Sequence, residues 1–366
     1  MHGRGDQESY YVASQWRLMG RRFRRHKLAM IGTVMLVILY LLGLFCEFFA
    51  PYGPYERHAA FLFCPPQRVH LVGPEGRLTL RPFLYGLDRK VNLDTMRKTY
   101  VEDPATTYPL RFFAKGTPYL LFGFIPASRH FVTAGTGPLF LFGTDDLGRD
   151  MLSRVLYAAR ISLSIGLVGV FLSFVLGCLI GGISGFYGRT TDMVIQRIID
   201  FLISLPTIPL WMALSAALPP KWPSIKVYFG ITIILSFLGW CGLARVVRGK
   251  ILELREEDFV MAARISGAGE PFIIVRHLLP SFISYLIVNL TLAIPSMILG
   301  ETALSFLGLG LRPPVVSWGV LLQQAQNIRT IAGQPWLLIP ALFVIATVLA
   351  FNFLGDGLRD AADPYK

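Results

Sequence analysis

Six stretches of this chain are predominantly apolar over about twenty residues or more, and they leave the fold little freedom. They run over about 28–50, 161–187, 193–218, 227–247, 281–303 and 336–355. A helix needs ~20 such residues to cross the hydrocarbon core of a bilayer, where each backbone polar group must be satisfied inside the segment. The expected class is an all-α polytopic membrane protein with six transmembrane helices. Composition agrees. Of 366 residues 53% are hydrophobic and 16% charged, with mean hydropathy +0.52, whereas a soluble globule carries ~25% charged residues.

Charge placement sets an expected orientation. Residues 1–27 are polar and basic, ending Arg21-Arg22-Phe23-Arg24-Arg25-His26-Lys27. A cleaved signal peptide has a shorter apolar stretch and a small-residue cleavage site. Here Pro51-Tyr52-Gly53-Pro54 follows the run instead, so 28–50 reads as a retained first span with residues 1–27 in the cytoplasm. Six spans then return the C-terminus to the cytoplasm. Arg245, Arg248, Lys250, Arg255, Arg264 and Arg276 cluster between spans four and five, a cytoplasmic segment in this scheme. The loop after span three has Lys221 and Lys226, and the loop after span five has Arg312 and Arg329. Cytoplasmic loops carry the basic excess, so the counts fit. The net charge of +12 sits beside the spans, and nucleic acid is not an expected partner.

Residues 51–141 hold no spanning run. Arg68–Val72 and Arg77–Leu80 alternate around Gly73-Pro74-Glu75-Gly76, the pattern of a β-hairpin with a four-residue turn. Asp103-Pro104, Tyr108-Pro109, Thr117-Pro118 and Ile125-Pro126 read as loop signals. Phe83, Tyr85, Tyr100, Tyr108, Phe112, Phe113, Tyr119, Phe122 and Phe124 either fill a small core or contact a binding protein or substrate. A small, mainly β and irregular exterior insert is expected. Cys178 and Cys241 fall inside spans and read as packing residues, while Cys46 and Cys64 could meet as one pair on the outer face. The histidines and cysteines form no cluster with metal-ligand spacing. The chain has no GxxxxGK[ST] loop, so any ATP used is bound by another chain.

Inside the spans, Ser173, Gly177, Gly181 and Gly185 recur every four residues. Such a stripe lets a second helix approach closely. Pro206 and Pro209 in span three and Pro295 in span five should bend or unwind their helices. Arg197 and Asp200 sit three apart and could pair on one helix face. With Glu301 they are candidates to line a pathway, and structural pairing is the plainer reading for them and for Glu47.

The segment Asp258–Pro280, DFVMAARISGAGEPFIIVRHLLP, is polar and short-helical between two long spans. Ala262 and Ala263 leave a helix surface flat. Gly267 and Gly269 permit a sharp reversal. Pro271 suits the first turn of a following helix, Pro280 ends it, and Ser281 can cap span five. Arg264, Arg276 and His277 are placed either to meet acidic groups on a partner or to face lipid head groups.

This segment resembles the cytoplasmic coupling loop of permease subunits of ATP-binding-cassette importers. In that family Glu-Ala-Ala is followed after three residues by Gly and then by a short run to Leu-Pro. Here the pattern stands as Met261-Ala262-Ala263, Gly267 and Leu279-Pro280. Met261 departs from the expected Glu, with Glu257 and Asp258 one turn upstream. Three more stretches are similar to the peptide-importer permeases. They are Phe142–Asp150 (FGTDDLGRD) continuing to Ser153-Arg154 and Ala159–Leu163, Glu301–Gly310 with Pro313-Pro314 and Ser317-Trp318-Gly319, and Asn352–Asp360 with Asp363-Pro364. In the right order these four motifs identify a member of the dipeptide/oligopeptide/nickel permease group, of the C type.

The resemblance implies an importer-permease fold. Residues 1–27 form a cytoplasmic segment, 28–50 the first helix, and 51–150 an exterior insert larger than is usual in the family. Residues 151–366 form the core permease domain, with the coupling loop at 253–280. It implies half of a translocation channel for di- or oligopeptides, some relatives carrying nickel or oligosaccharides. Implied partners are a second homologous permease, two cytoplasmic ATPases that hold ATP and Mg, an exterior solute-binding protein and the lipid bilayer of the bacterial inner membrane. No cofactor is expected on this chain and no catalysis by it. The implied coupling residues are Glu257, Asp258, Ala262, Ala263, Arg264, Gly267, Ala268, His277 and Pro280.

Two other classes compete. Gly182-Ile183-Ser184-Gly185 fits the serine pattern of an intramembrane protease, but the nucleophile needs a nearby base, and His277 alone follows His130. A secondary transporter would work without an ATPase, yet no clear inverted repeat is visible.

Overall fold

The computed structural model describes residues 15–72, 78–91, 98–219 and 221–362. Residues 1–14, the expected turn Gly73-Pro74-Glu75-Gly76, and Asp363-Pro364 lie outside the described residues. The helices are α1 (Gln15–Arg25), α2 (Lys27–Leu44), α3 (Cys46–Phe49), α4 (Met151–Tyr187), α5 (Arg189–Ser204), α6 (Thr207–Ala216) and α7 (Ser224–Leu254). After these come α8 (Asp258–Ile265), α9 (Glu270–Ile273), α10 (Leu279–Ser281), α11 (Ile283–Phe306), α12 (Trp318–Gln323), α13 (Ile328–Gly333) and α14 (Ile339–Ala362). Among the described residues five helices are long and apolar enough to cross a membrane, and a sixth span is present if α5 and α6 count as one. The chain divides into two compact units, residues 1–37, 164–304 and 345–366 in one, and 38–163 and 305–344 in the other.

In the first unit the small-residue stripe faces α7. A β-carbon added to Gly177 would meet Leu243 Cβ at 2.9 Å, and one added to Gly185 would meet the Arg248 carbonyl oxygen at 2.8 Å. Ser173 Oγ donates to the Ser236 carbonyl (3.3 Å). Small residues here bring two backbones into contact, the main attractive force available between helices in lipid. A related device recurs on α14. There the glycines make room for side chains, Gly355 for Leu292 and Gly357 for Ala29.

The expected single span 193–218 is instead two helices bent by 86°. Leu205 is extended (φ −75°, ψ 134°), as the residue before a proline prefers. Pro206 (φ −65°, ψ 118°) then precedes α6, and Pro209 sits harmlessly in its first turn. By contrast α11 runs through Pro295 without interruption.

The second unit carries two antiparallel sheets. Strands β1 (His70–Val72), β2 (Leu78–Val91) and β3 (Lys98–Pro109) lie in that order, and β4 (Arg111–Leu121) pairs with β5 (Ile125–Thr133). Val72 pairs with Leu78, so the expected first hairpin is present. The proline dipeptides read as loops lie within strands. Pro104 falls where the register slips between Tyr85↔Thr107 and Gly86↔Asp103, and Pro118 falls in the slip between Lys115 and Tyr119. A bulge and an edge strand are where a missing N–H does little harm. Cys46 and Cys64 are both free and buried, so the pair considered from sequence is not formed.

The stretch before α4 is organised around one buried carboxylate. Asp145 Oδ1 accepts the Leu147 and Arg149 N–H groups (both 2.9 Å). Its Oδ2 accepts Arg149 Nε–H (2.7 Å) and Arg154 Nη1–H. Asp150 Oδ2 accepts the Ser153 N–H (2.7 Å) and hydroxyl (2.6 Å), capping α4. Burial pushes its carboxyl up to about 7 against those hydrogen bonds. Trp318 Nε1 donates to the Val155 carbonyl (3.2 Å) and Trp336 Nε1 to the Thr144 carbonyl (3.0 Å). At the end of α2, Arg160 grips Glu47 through two nitrogens (2.6 Å each) and donates to the Gly43 (3.1 Å) and Leu44 (2.7 Å) carbonyls. Glu47 therefore stands in a structural pair.

Candidate functional site

The segment between α7 and α11 is a compact knob. Helix α8 ends in a Schellman turn, in which the Ala268 N–H donates to Ala263 O (3.1 Å) and the Gly267 N–H to Arg264 O (3.0 Å). Gly267 sits at φ +82°, in the left-handed region that favours glycine. Gly269 has an ordinary extended backbone (φ −69°, ψ 153°), so the reversal is made at residue 267 and not there. Glu270-Pro271 opens α9, and a π-helical turn, Ile274–Leu278, links it to α10. Ser281 does not cap the next span. Its hydroxyl donates backward to Leu278 O (2.6 Å), and α11 begins at Ile283.

The knob is seated from beneath. Val260, Ile273 and Leu278 are fully buried with Val247 and Ile251 of α7 and with Phe282 and Leu286. Ala263 and Ala268 pack against the same cluster, while Ala262 is exposed. Ala263 is thus half-buried, touching the cluster beneath as well as the open side, whereas Ala262 is exposed. Arg264 lies over the Phe186 ring at 5.1 Å, and Arg255 donates to the Gly185 carbonyl (3.4 Å). Both tie the knob to the end of α4. On its open side a depression of about 680 Å³ is bordered by Phe259, Ala262, Ser266, Gly267, Phe272 and His277, and Ala263 and Ala268 also reach it. Phe259 and Phe272 are exposed at 42% and 55%, and Met261 at 47%. Glu257, Asp258 and Pro280 are exposed at the two ends of the segment.

The depression itself is apolar apart from Ser266 and His277, while Glu257, Asp258, Arg264, Glu270 and Arg276 are exposed elsewhere on the segment. Residues 173–365, which include the knob, match the family model described as binding-protein-dependent transport system inner membrane component. The chain belongs to that family.

Further matches fit the membership. Residues 14–66 of the permease match the N-terminal TM domain of oligopeptide transport permease C. The oligopeptide transport system permease protein OppC of Bacillus subtilis (strain 168) is 30% identical over 96% of this chain and 90% of its own length. The dipeptide transport system permease protein DppC of the same organism is 40% identical over 61% of this chain and 68% of its own. OppC of Haemophilus influenzae is 42% identical over 61% and 70%. Family and helices together make this permease a multi-pass membrane protein.

The charges within the permease's helices pair differently from the sequence expectation. Asp200 binds Arg245 of α7, not Arg197 three residues away. Arg197 is exposed and, among the described residues, makes no ion pair. Glu301 is fully buried in α11. Ser184 donates to Asp192 (2.6 Å) and accepts from Gln196 (3.1 Å), and Asp192 also binds Arg248. This ties the weighed serine motif into a clasp of α4, α5 and α7. Asp192, Arg248 and Asp145 are structural hubs that the sequence does not announce. The first two are far apart in the chain and share no spacing rule.

Proposed function

We propose that this permease forms one half of the channel of an ATP-driven importer of di- and oligopeptides, and that the Glu257–Pro280 knob is where a cytoplasmic ATPase docks. A second permease, two ATPases holding ATP and Mg, and an exterior solute-binding protein complete the assembly. This chain itself catalyses nothing. The chain lies in the bacterial inner membrane with both termini in the cytoplasm, as the basic excess around the knob favours. The peptide cargo rests on the relatives' names.

The observation that carries this reading is the knob's seat. Turning a 1:99 conformational population into 99:1 takes ~5.5 kcal/mol of differential binding. Fully burying an aliphatic side chain is worth ~1.5–3 kcal/mol, so Val260, Ile273 and Leu278 together supply roughly 5–9 kcal/mol of attachment, an upper bound. The attachment is thus of the same order as the load, and movement of the knob is carried into α7, α4 and α11.

The test is coupling in proteoliposomes that contain the whole assembly and a labelled dipeptide. Gly267→Asp forces a β-carbon into the left-handed region at a cost of ~1 kcal/mol and puts charge on the docking surface. Ala263→Trp cannot fit beneath the knob. Both should leave ATP hydrolysis running while uptake falls. Normal uptake by Gly267→Asp at normal expression would refute the assignment.

A further inference from the structure

The tip of the β4–β5 hairpin is built against the usual rules for a water-exposed turn. It reads Leu120-Leu121-Phe122-Gly123-Phe124-Ile125, with no polar side chain. The Phe124 N–H donates to Leu121 O (3.3 Å), and the two residues between them have φ +55° (Phe122) and φ +84° (Gly123). Such a turn prefers Asn-Gly. A phenylalanine there is strained by ~1–3 kcal/mol, and Phe113 on β4 is strained likewise at φ +53°. These two side chains are nonetheless exposed, Phe113 at 62% and Phe122 at 38%, beside Phe124 at 72%, Leu120 at 54% and Phe112 at 51%. Strain spent to display large apolar groups to water makes no sense for the isolated chain.

Position supplies the occupant. Phe122 lies 5.6 Å, ring to ring, from Phe45, the residue that follows α2. Phe113 lies 6.0 Å from Phe48 of α3. Helix α2 is a membrane-spanning candidate whose Ile38, Leu41 and Leu44 are about half exposed. The apolar tip thus continues the surface that α2 presents to lipid. His130 fixes the arrangement, with its Nδ1 2.6 Å from the Ala50 carbonyl oxygen at the end of α3. Between Arg111 and Thr133 there is no acidic residue, while Arg111, Lys115 and Arg129 are exposed. An apolar aromatic edge with basic neighbours is the chemistry that binds a lipid interface with anionic head groups.

We propose that this hairpin is an interfacial anchor, its tip inserted into the bilayer leaflet at the Leu44 end of α2. The probe is a nitroxide at Phe124→Cys in the full assembly, in nanodiscs of phosphatidylethanolamine and phosphatidylglycerol. Ala105→Cys on β3 serves as the aqueous reference. The four native thiols are buried, and the unsubstituted chain gives the background. Collision with oxygen relative to a water-soluble nickel chelate should be about tenfold higher at residue 124 than at residue 105, as apolar burial in the interface requires. Phe113→Cys, a second exposed site, carries the same expectation if the first variant folds poorly. Equal ratios at the tip and the reference overturn the proposal. So does a label shielded from both reagents, which would mean that protein and not lipid covers the tip.

Discussion

Asp145→Asn should loosen the loop before α4 by a predictable factor. The Asp145 side chain is fully buried, Arg154 is 3% exposed and Arg149 12%. Removing one charge of a buried pair costs ~3–5 kcal/mol, because the other is left uncompensated. Asn can still accept the Leu147 and Arg149 N–H groups, and Arg149 can reach water, so the low end applies. At ~1.4 kcal/mol per decade, ~3 kcal/mol raises the open population roughly 150-fold. Cys64 reports that opening. It is fully buried, its N–H donates to Thr144 Oγ1 (2.8 Å), and burial pushes its thiol up to about 12. Thiolate is the reactive form, so alkylation needs the loop to open. With Cys46, Cys178 and Cys241 replaced by Ala, maleimide labelling of Cys64 should accelerate by about two decades in Asp145→Asn. Asp145→Asn with Arg154→Met should recover most of the protection, since the second change removes the buried charge that the first leaves uncompensated while the amide still accepts the Leu147 and Arg149 N–H groups. Acceleration below about threefold in the single variant, or a double variant as labile as the single, would show that Asp145 is not the hub argued above.

Two further outcomes are expected from the same geometry. Arg160→Gln should destabilise more than Glu47→Gln, because the arginine also holds the Gly43 and Leu44 carbonyls. The Glu47 change should cost about 1–2 kcal/mol, reduced by the partial exposure of Arg160, and thermal unfolding in nanodiscs ranks the pair. Arg248→Lys should behave like Asp192→Asn in limited proteolysis, since an ammonium cannot make the two-pronged contact with Asp192. An Arg248→Lys chain as resistant as the parent contradicts this.

Much of the helical layout was legible because spans announce themselves by length and apolarity. The positions of α2, α4, α7, α11 and α14 follow from runs of apolar residues alone. What escaped was contact between distant residues. Helical spacing offers Arg197 to Asp200, whereas its partner is Arg245 on another helix. Pro206 signals a kink, but a sequence does not say whether an interrupted helix resumes along its old axis or at 86°. Prolines in the insert point to loops because period and propensity are local signals, while a bulge is a property of two strands. In the knob, the reversal at Gly267 was visible. The partial burial of Ala263 beside exposed Ala262 was not, since it depends on what packs beneath.

The stripe on α4 also limits how this permease can change over generations. A β-carbon at Gly181 would stand 2.5 Å from the Ala244 carbonyl oxygen and 2.9 Å from its α-carbon. The obstacle is main chain, and residue 244 has almost no side chain left to trim. No second-site substitution opposite can make room, and sliding the helices is resisted at Gly177 and Gly185 as well. Revertants selected from a Gly181 variant should therefore map back to codon 181 itself, so the stripe is inherited as a block.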